Sequence, residues 1–322
     1  MASRVYCLDA HSDPAGNASF REQFCLRFLR QAQNPDGGWG YTPGNHSATD
    51  PTCWALLALA SSERVELDQT SRGIQWLLRV QLPDGSWPAV AGQSQGCWVT
   101  PLGCLALQQH GAAPDAVGKG VSWLEHSWPG EGRFWQRLRM RLFASSGLAR
   151  QNDSLRGWSW TPGTSSWVEP TAYALILLRN LLPNGAPPSL ARRQRLAEAM
   201  LYDRMCPGGG WNSGNPFVYG VAGEPLVGPT VWALQALQHH RDRAENQESL
   251  EWLERASKQI QSPGSLALAH ICLESYGRPT EPLEPALRRL YERNAFLQNV
   301  AVAAIAALAL GAAGRWMRRA QA

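Results

Sequence analysis

Two carboxylates stand where residue type and position together permit chemistry. Asp50 opens Asp50-Pro51-Thr52 and Glu169 opens Glu169-Pro170-Thr171, each at the head of a long apolar run. A carboxyl at such a place has two uses. It caps the helix, accepting from an orphan amide for about 1 kcal/mol and gaining from the helix dipole. Alternatively it is buried, held neutral by desolvation, and transfers its proton as a general acid. Aspartate is a good cap and glutamate a poor one, so capping explains Glu169 less well. Near equivalent helix starts lie Tyr173 and four of the chain's 15 tryptophans, Trp54, Trp98, Trp167 and Trp232. Such rings serve as buried core, as platforms for sugars, or as a wall for a cationic species.

A third group is basic. Arg133, Arg137 and Arg141 interleave with Phe134, Trp135, Leu138 and Leu142 in a stretch at about 126–156. Its readings are a solvated helix with one packed face, a lid, a membrane-surface helix, or a grip on a diphosphate. No Asp-Asp pair occurs to hold a diphosphate through magnesium, and Gly208-Gly209-Gly210 runs into Trp211 and Asn212, which fits a turn better than a phosphate cradle. Neither a metal nor a cofactor is expected.

The elements that must position these residues are repeated. The helix starts Asp50-Pro51-Thr52, Thr100-Pro101-Leu102, Glu169-Pro170-Thr171 and Gly228-Pro229-Thr230 each follow a Gly- and Trp-containing turn. Repetition at this spacing implies stacked copies of one supersecondary unit. Amphipathic segments at 20–32, 71–80, from about 118, 190–205, 248–260 and 283–293 read as outer helices. Runs at 50–60, 101–109, 170–179, 229–238, 265–275 and 296–310, apolar on nearly all sides, read as buried inner helices. Proline at the first helical position is favourable, and Asp50 and Thr100 read as the caps that precede it. Six such hairpins close into an all-α (α/α)6 toroid, which needs no capping repeat. The organisation expected is a polar arm at 1–19, one barrel over 20–314 with its insertion at about 126–156, and a basic tail at 315–322.

Composition narrows the classes. A net charge of +4 is too small to imply nucleic acid. Seven scattered cysteines without a C-x-x-C pair predict a reduced, cytoplasmic protein, and residues 1–16 lack the apolar core of a secretory signal. Residues 294–314 carry no charge and are long enough for a membrane span, but they fall where the sixth inner helix belongs. Peripheral membrane contact is therefore a reading of the basic insertion, and nothing specifies a protein partner.

Arg72-Gly73-Ile74-Gln75-Trp76-Leu77, Gln81 and Gly85-Ser86-Trp87 together resemble the QW motif of squalene–hopene and oxidosqualene cyclases. Phe28-Leu29, Gln33 and Gly37-Gly38-Trp39 repeat it; Lys119-Gly120-Val121-Ser122-Trp123-Leu124 begins a third copy, Gly157-Trp158-Ser159-Trp160 resembles its displaced end, and Gly209-Gly210-Trp211 is a partial fourth. The glutamine amide is expected to satisfy groups at a neighbouring helix end, with the tryptophan stacked over that link. The resemblance extends to protein prenyltransferase β-subunits, but Asp50 with Cys53, and His270 with Cys272, do not reproduce their zinc ligand pattern.

The resemblance implies a class II terpene cyclase-like protein that protonates a polyprenyl or triterpenoid chain and steers the carbocation past aromatic faces. The hydrophobic partner would be an isoprenoid. Laid on the squalene–hopene cyclase Asp-x-Asp-Asp-Thr motif, Ala48-Thr49-Asp50-Pro51-Thr52 keeps the central acid and the threonine; the oxidosqualene cyclase Asp-Cys-Thr is closer. Asp50 thus matches the proton donor and Glu169 is a second candidate. Two other classes stay open: a non-catalytic lipid- or protein-binding toroid, and a carbohydrate-active (α/α)6 enzyme using paired carboxylates.

Overall fold

The structure is a computed structural model and describes residues 19–61, 67–130, 151–218 and 220–311. Among the described residues, twelve helices alternate between two rings. The outer ring holds α1 (a π-wound stretch Arg21–Leu26 running into Arg27–Gln31), α3 (Leu67–Val80), α5 (Pro114–His126), α7 (Pro188–Asp203), α9 (Ala244–Ser257) and α11 (Leu283–Asn294). The inner ring holds α2 (Thr49–Leu59), α4 (Thr100–Gln109), α6 (Val168–Leu181), α8 (Val227–Ala236), α10 (Pro263–Ser275) and α12 (Val300–Ala309). A two-residue hairpin, Phe217–Val218 with Val221–Ala222, decorates the loop before α8. The inner helices are apolar all round because they are enclosed all round: every residue of α2 is buried.

The inner ring closes. Packing runs α2 on α4, α4 on α6, α6 on α8, α8 on α10, α10 on α12, and α12 back on α2. Each outer helix packs on the inner helix before it, and α1 packs on α12, so the first and last copies join. The chain is a single (α/α)6 toroid.

One bond pattern recurs in four copies. The indole N–H groups of Trp39, Trp87, Trp158 and Trp211 donate to the carbonyls of Leu29, Leu77, Leu124 and Leu201 on the outer helices, at 2.6–2.9 Å. Their backbone N–H groups donate to the hydroxyls of Thr52, Thr100, Thr171 and Thr230 on the inner helices, at 2.9–3.0 Å. Each tryptophan is thereby pinned between an outer and an inner helix. The glutamine amides reach the first turn of a neighbouring helix. Gln33 Nε2 donates to the carbonyls of Gly37 and Gln69, and Gln81 Nε2 to those of Gly85 and Ala116, tying each turn to the next outer helix. An amide nitrogen is a donor, so it takes carbonyls and leaves orphan helix N–H groups to others. The turn glycines let this approach happen: a Cβ on Gly37 or Gly85, at φ +94° and +90°, would lie 2.6 or 2.5 Å from the carbonyl oxygen of Arg72 or Lys119. In the third copy, where residues 131–150 intervene, the buried Arg193 bonds the carbonyls of Glu125 and Ser127. Its guanidinium lies 4.1 and 4.4 Å from the ring centres of Trp128 and Trp158.

The reading of Asp50 and Thr100 as caps is corrected. The residues at the cap positions of the four proline-type starts are Ala48, Val99, Trp167 and Leu226, and none makes a side-chain cap bond. The first amides are instead satisfied by the neighbouring copy: Thr49 N–H donates to Ala89 O, Trp98 to Trp160 O, Val168 to Ser213 O and Val300 to Tyr41 O. Side-chain caps appear at Ser262 and Asn299, in the copies that lack the tryptophan. Asn299 also sets the start of α12 at Val300, later than the apolar pattern suggested, because Ala295 to Gln298 adopt φ of 47–56°. No described helix is long and apolar enough to cross a membrane. The arm before residue 19, Arg133, Arg137 and Arg141, and the tail after residue 311 lie outside the described residues.

The threonine bond makes a testable claim. Thr171→Val keeps the shape but leaves the buried Trp158 N–H without its acceptor, so the protein loses about 1–3 kcal/mol in urea unfolding. A loss under 0.5 kcal/mol, on the order of a neutral surface change, would show that the hydroxyl is dispensable.

Candidate active site

The recurring threonine bond supplies a structural register for comparing copies. Thr52, Thr100, Thr171 and Thr230 are equivalent, so the positions two residues earlier are Asp50, Trp98, Glu169 and Gly228. The sequence register had set Thr100 opposite Asp50; Trp98 takes that place. Two of these four inner-helix starts therefore present an acid, one an indole, and one nothing.

Asp50 is buried in the first turn of α2. The indole of Trp54, one turn on, donates to its Oδ1 at 2.9 Å, and the Tyr41 hydroxyl donates to the same carboxyl. Burial pushes the Asp50 pKa up to about 6, against the pull of these two hydrogen bonds. A group of this kind holds its proton at mildly acidic pH and has two donors ready for the anion it leaves. Glu169, half-buried at the equivalent place on α6, is also raised by burial, opposed by its own backbone amide and by the Ser213 hydroxyl. Its Oε2 is buried without a hydrogen-bond partner.

Aromatic rings join the two acids. Trp54 meets Trp232 at 5.6 Å between ring centres, Trp232 meets Tyr173 at 4.7 Å edge-on, and Tyr173 stacks on Trp98 at 5.8 Å. Trp160 continues the series, edge-on to Trp98 at 4.9 Å. Trp54, Tyr173 and Trp232 each sit four residues after the acid-equivalent position, one turn deeper on α2, α6 and α8. Burial, then the charges of Asp50 and Glu169, keep the Tyr173 hydroxyl protonated, so both carboxyls bear on one phenol. Trp167 stands apart: it is half-buried at the cap position of α6 and has no ring contact with the others among the described residues.

Sequence reasoning missed Tyr41, Ser213 and Trp160 as site residues. A signal existed. Each lies two residues after a pinned tryptophan (Trp39, Trp211, Trp158), an offset that carries the chain from the outer wedge to the mouth of the ring. Tyr41 and Ser213 then bond the acid of the adjoining inner helix. Elsewhere, Glu198, His239 and His240 bring three metal-type donor atoms within 4.8 Å of one another. Each histidine there already binds the Glu198 carboxylate, at 3.0 and 3.4 Å.

The Asp50 shift has a sign that stability measurements can read. The folded pKa, about 6, lies above the ordinary value of 3.8. The associated stability is therefore fully present below about pH 4 and is lost as pH rises through about 6. A two-unit shift corresponds to roughly 3 kcal/mol. Asp50→Asn escapes this loss, so wild type should weaken relative to the variant between pH 4 and pH 8. A pH-independent difference between them would contradict burial of an ionisable group at this site.

A closed (α/α)6 ring with an acid and an aromatic series at the inner-helix mouths is a class II terpene cyclase-like architecture. Residues 3–97 match the family described as the squalene–hopene cyclase C-terminal domain. The chain is 34% identical to lanosterol synthase of Mus musculus over 88 residues, 24% of this chain and 12% of that protein. It is 39% identical to drimenyl diphosphate synthase of Streptantibioticus cattleyicolor over 199 residues, 51% of this chain and 37% of that protein. The structure of the type II terpene cyclase MstE from Scytonema, as the R337A variant with geranylgeranyl dihydroxybenzoate, superposes with a TM-score of 0.61 at 14% identity, over 94% of this chain and 99% of that one. These matches support a relation to the squalene–hopene/oxidosqualene cyclase superfamily. It spans well under half the length of the two curated relatives described.

Proposed function

We propose that the protein is a class II terpene cyclase acting on a polyprenyl or triterpenoid substrate. The observation that carries the reading is the buried Asp50 carboxyl, its proton retained by desolvation, beside the rings of Trp54, Trp232, Tyr173 and Trp98. The Asp50 O–H adds its proton to a terminal alkene carbon or an epoxide oxygen. The C=C electron pairs then form the ring bonds, and the cation advances past aromatic faces that stabilise it by ~0.5–2 kcal/mol per ring. Trp54 and Tyr41 donate to the carboxylate left behind. Tyr41 is 44% exposed, so it links that carboxylate to solvent, from which the proton is restored. Glu169 is the second acid, placed to receive the proton lost from the final cation. Arg133, Arg137 and Arg141 are proposed to cover the mouth or to hold a diphosphate head.

A second reading, a non-catalytic lipid-binding toroid, is favoured by one contact. Trp54 and Trp232 stand on opposite members of the inner ring, α2 and α8, yet their rings meet, which fills the centre at that depth. One experiment separates the readings. Wild type, Asp50→Asn and Glu169→Gln are incubated with squalene, oxidosqualene and linear prenyl diphosphates, and products are analysed by mass spectrometry. Cyclic product from wild type that is lost in Asp50→Asn supports the cyclase. No cyclic product from any substrate leaves the binding module.

A further inference from the structure

The wedges between outer helices differ around the ring. Between α3, α4 and α5 the space is filled by Trp87, whose ring lies about 3.0 Å from where a Cβ on Gly103 of α4 or Gly120 of α5 would stand. Trp39, Trp158 and Trp211 are likewise pinned by the outer helix before them and the inner helix after. The fifth copy has no such residue: α9 passes to α10 through Lys258-Gln259-Ile260-Gln261-Ser262. The corresponding wedge, between α9, α10 and α11, contains a groove of about 780 Å³. That is the size range of sites for small organic ligands.

The lining of this groove is divided. Leu266 and Leu273 of α10 and Leu290 of α11 form a buried apolar floor. Lys258, Arg289 and Arg293 stand exposed at the rim, with no ion-pair partner among the described residues. The acid in the lining, Glu254, is already paired with Arg278 at 3.3 Å. The groove thus offers an apolar slot beside uncompensated positive charge, and two guanidinium groups suited to a phosphate or carboxylate.

We propose that the wedge vacated by the missing tryptophan is a binding site for a single amphiphile with an apolar chain and an anionic head. The chain lies on Leu266, Leu273 and Leu290, in the place an indole takes in the other copies, and the head meets Lys258, Arg289 and Arg293. The site is separate from the ring's centre and does not depend on the catalytic reading of Asp50.

The test is calorimetric titration of the full chain with dodecyl phosphate below its micellar concentration. Dodecanol, dodecyltrimethylammonium, inorganic phosphate and phosphatidic acid vesicles are titrated in parallel. Dodecyl phosphate is expected to bind once per chain, more tightly than each of the other soluble probes. Affinity should fall at least tenfold in Arg289→Gln/Arg293→Gln, saturable binding should vanish in Ala286→Trp, which refills the wedge, and Asp50→Asn should bind as wild type. Circular dichroism checks that both groove variants are folded; the surface double variant decides the matter if Ala286→Trp is not. Four outcomes overturn the site: no binding of dodecyl phosphate, undiminished binding in the double variant, equal binding of the cationic or phosphate-only probes, or binding to vesicles without binding to the monomer.

Discussion

Asp50→Asn is expected to lower the rate of cyclic product formation by about 10²–10⁴-fold, the contribution of a positioned general acid, without loosening the fold. The amide keeps the shape and still accepts from Trp54 through its oxygen, so substrate binding persists while the transferable proton is gone. The equilibrium fluorescence of the tryptophan series and the thermal midpoint at pH 4 should match wild type. Wild-type activity should fall as pH rises above about 6, where the Asp50 carboxyl ionises. Glu169→Gln serves as the contrast. Its loss changes the distribution of products more than their total, because it stands apart from Asp50 on α6, one turn before Tyr173. Equal activity of wild type and Asp50→Asn at pH 5 would remove Asp50 from the chemistry.

This site was legible in outline because the sequence repeats. Pro51, Pro170 and Pro229, each followed by threonine, mark three inner-helix starts, and the apolar runs behind them identify the buried ring. Periodicity reveals which residues share an element, so Trp54, Tyr173 and Trp232 could be placed on inner helices before their contacts were known. The register in the second copy was not legible. There the proline follows the threonine, Thr100-Pro101, so aligning on proline shifts the copy and hides Trp98 as the partner of Asp50. Only the bond from Trp87 to Thr100 resolves it. Capping was misread for a related reason. Local sequence allows Asp50 to cap its own helix, but the Thr52 amide it would serve donates to Ala48 O within the helix, and the Thr49 amide before it donates to Ala89 O of the next copy. A closed ring supplies partners from a distance that a local rule does not see. That releases the Asp50 carboxyl from structural duty. It also raises the cost of keeping an acid there, since burial opposes its charge.

Trp87→Ala is the largest stability change expected in the molecule. The side chain is fully buried, and its removal deletes the bond to Leu77 O and opens a cavity under two glycines. Truncation of a buried tryptophan costs about 3–5 kcal/mol, against about 5–15 kcal/mol for a whole domain. Denaturant unfolding should therefore show a large drop in midpoint. Gly103 makes the cause testable. With Trp87 present, a Cβ on Gly103 meets the indole at 3.0–3.3 Å, so Gly103→Ala strains the wedge. Without the indole that obstacle is gone, and alanine is a better helix former than glycine by about 1 kcal/mol. Gly103→Ala should thus destabilise wild type yet stabilise Trp87→Ala, a coupling that a double-mutant cycle reads directly. Gly120 offers no such rescue, because its Cβ would still lie 2.4 Å from Cys104 Sγ. If Gly103→Ala has the same effect in both backgrounds, the indole does not set the spacing of α4. The wedge would then be filler rather than the element that fixes where the inner helix, and the residues at its mouth, stand.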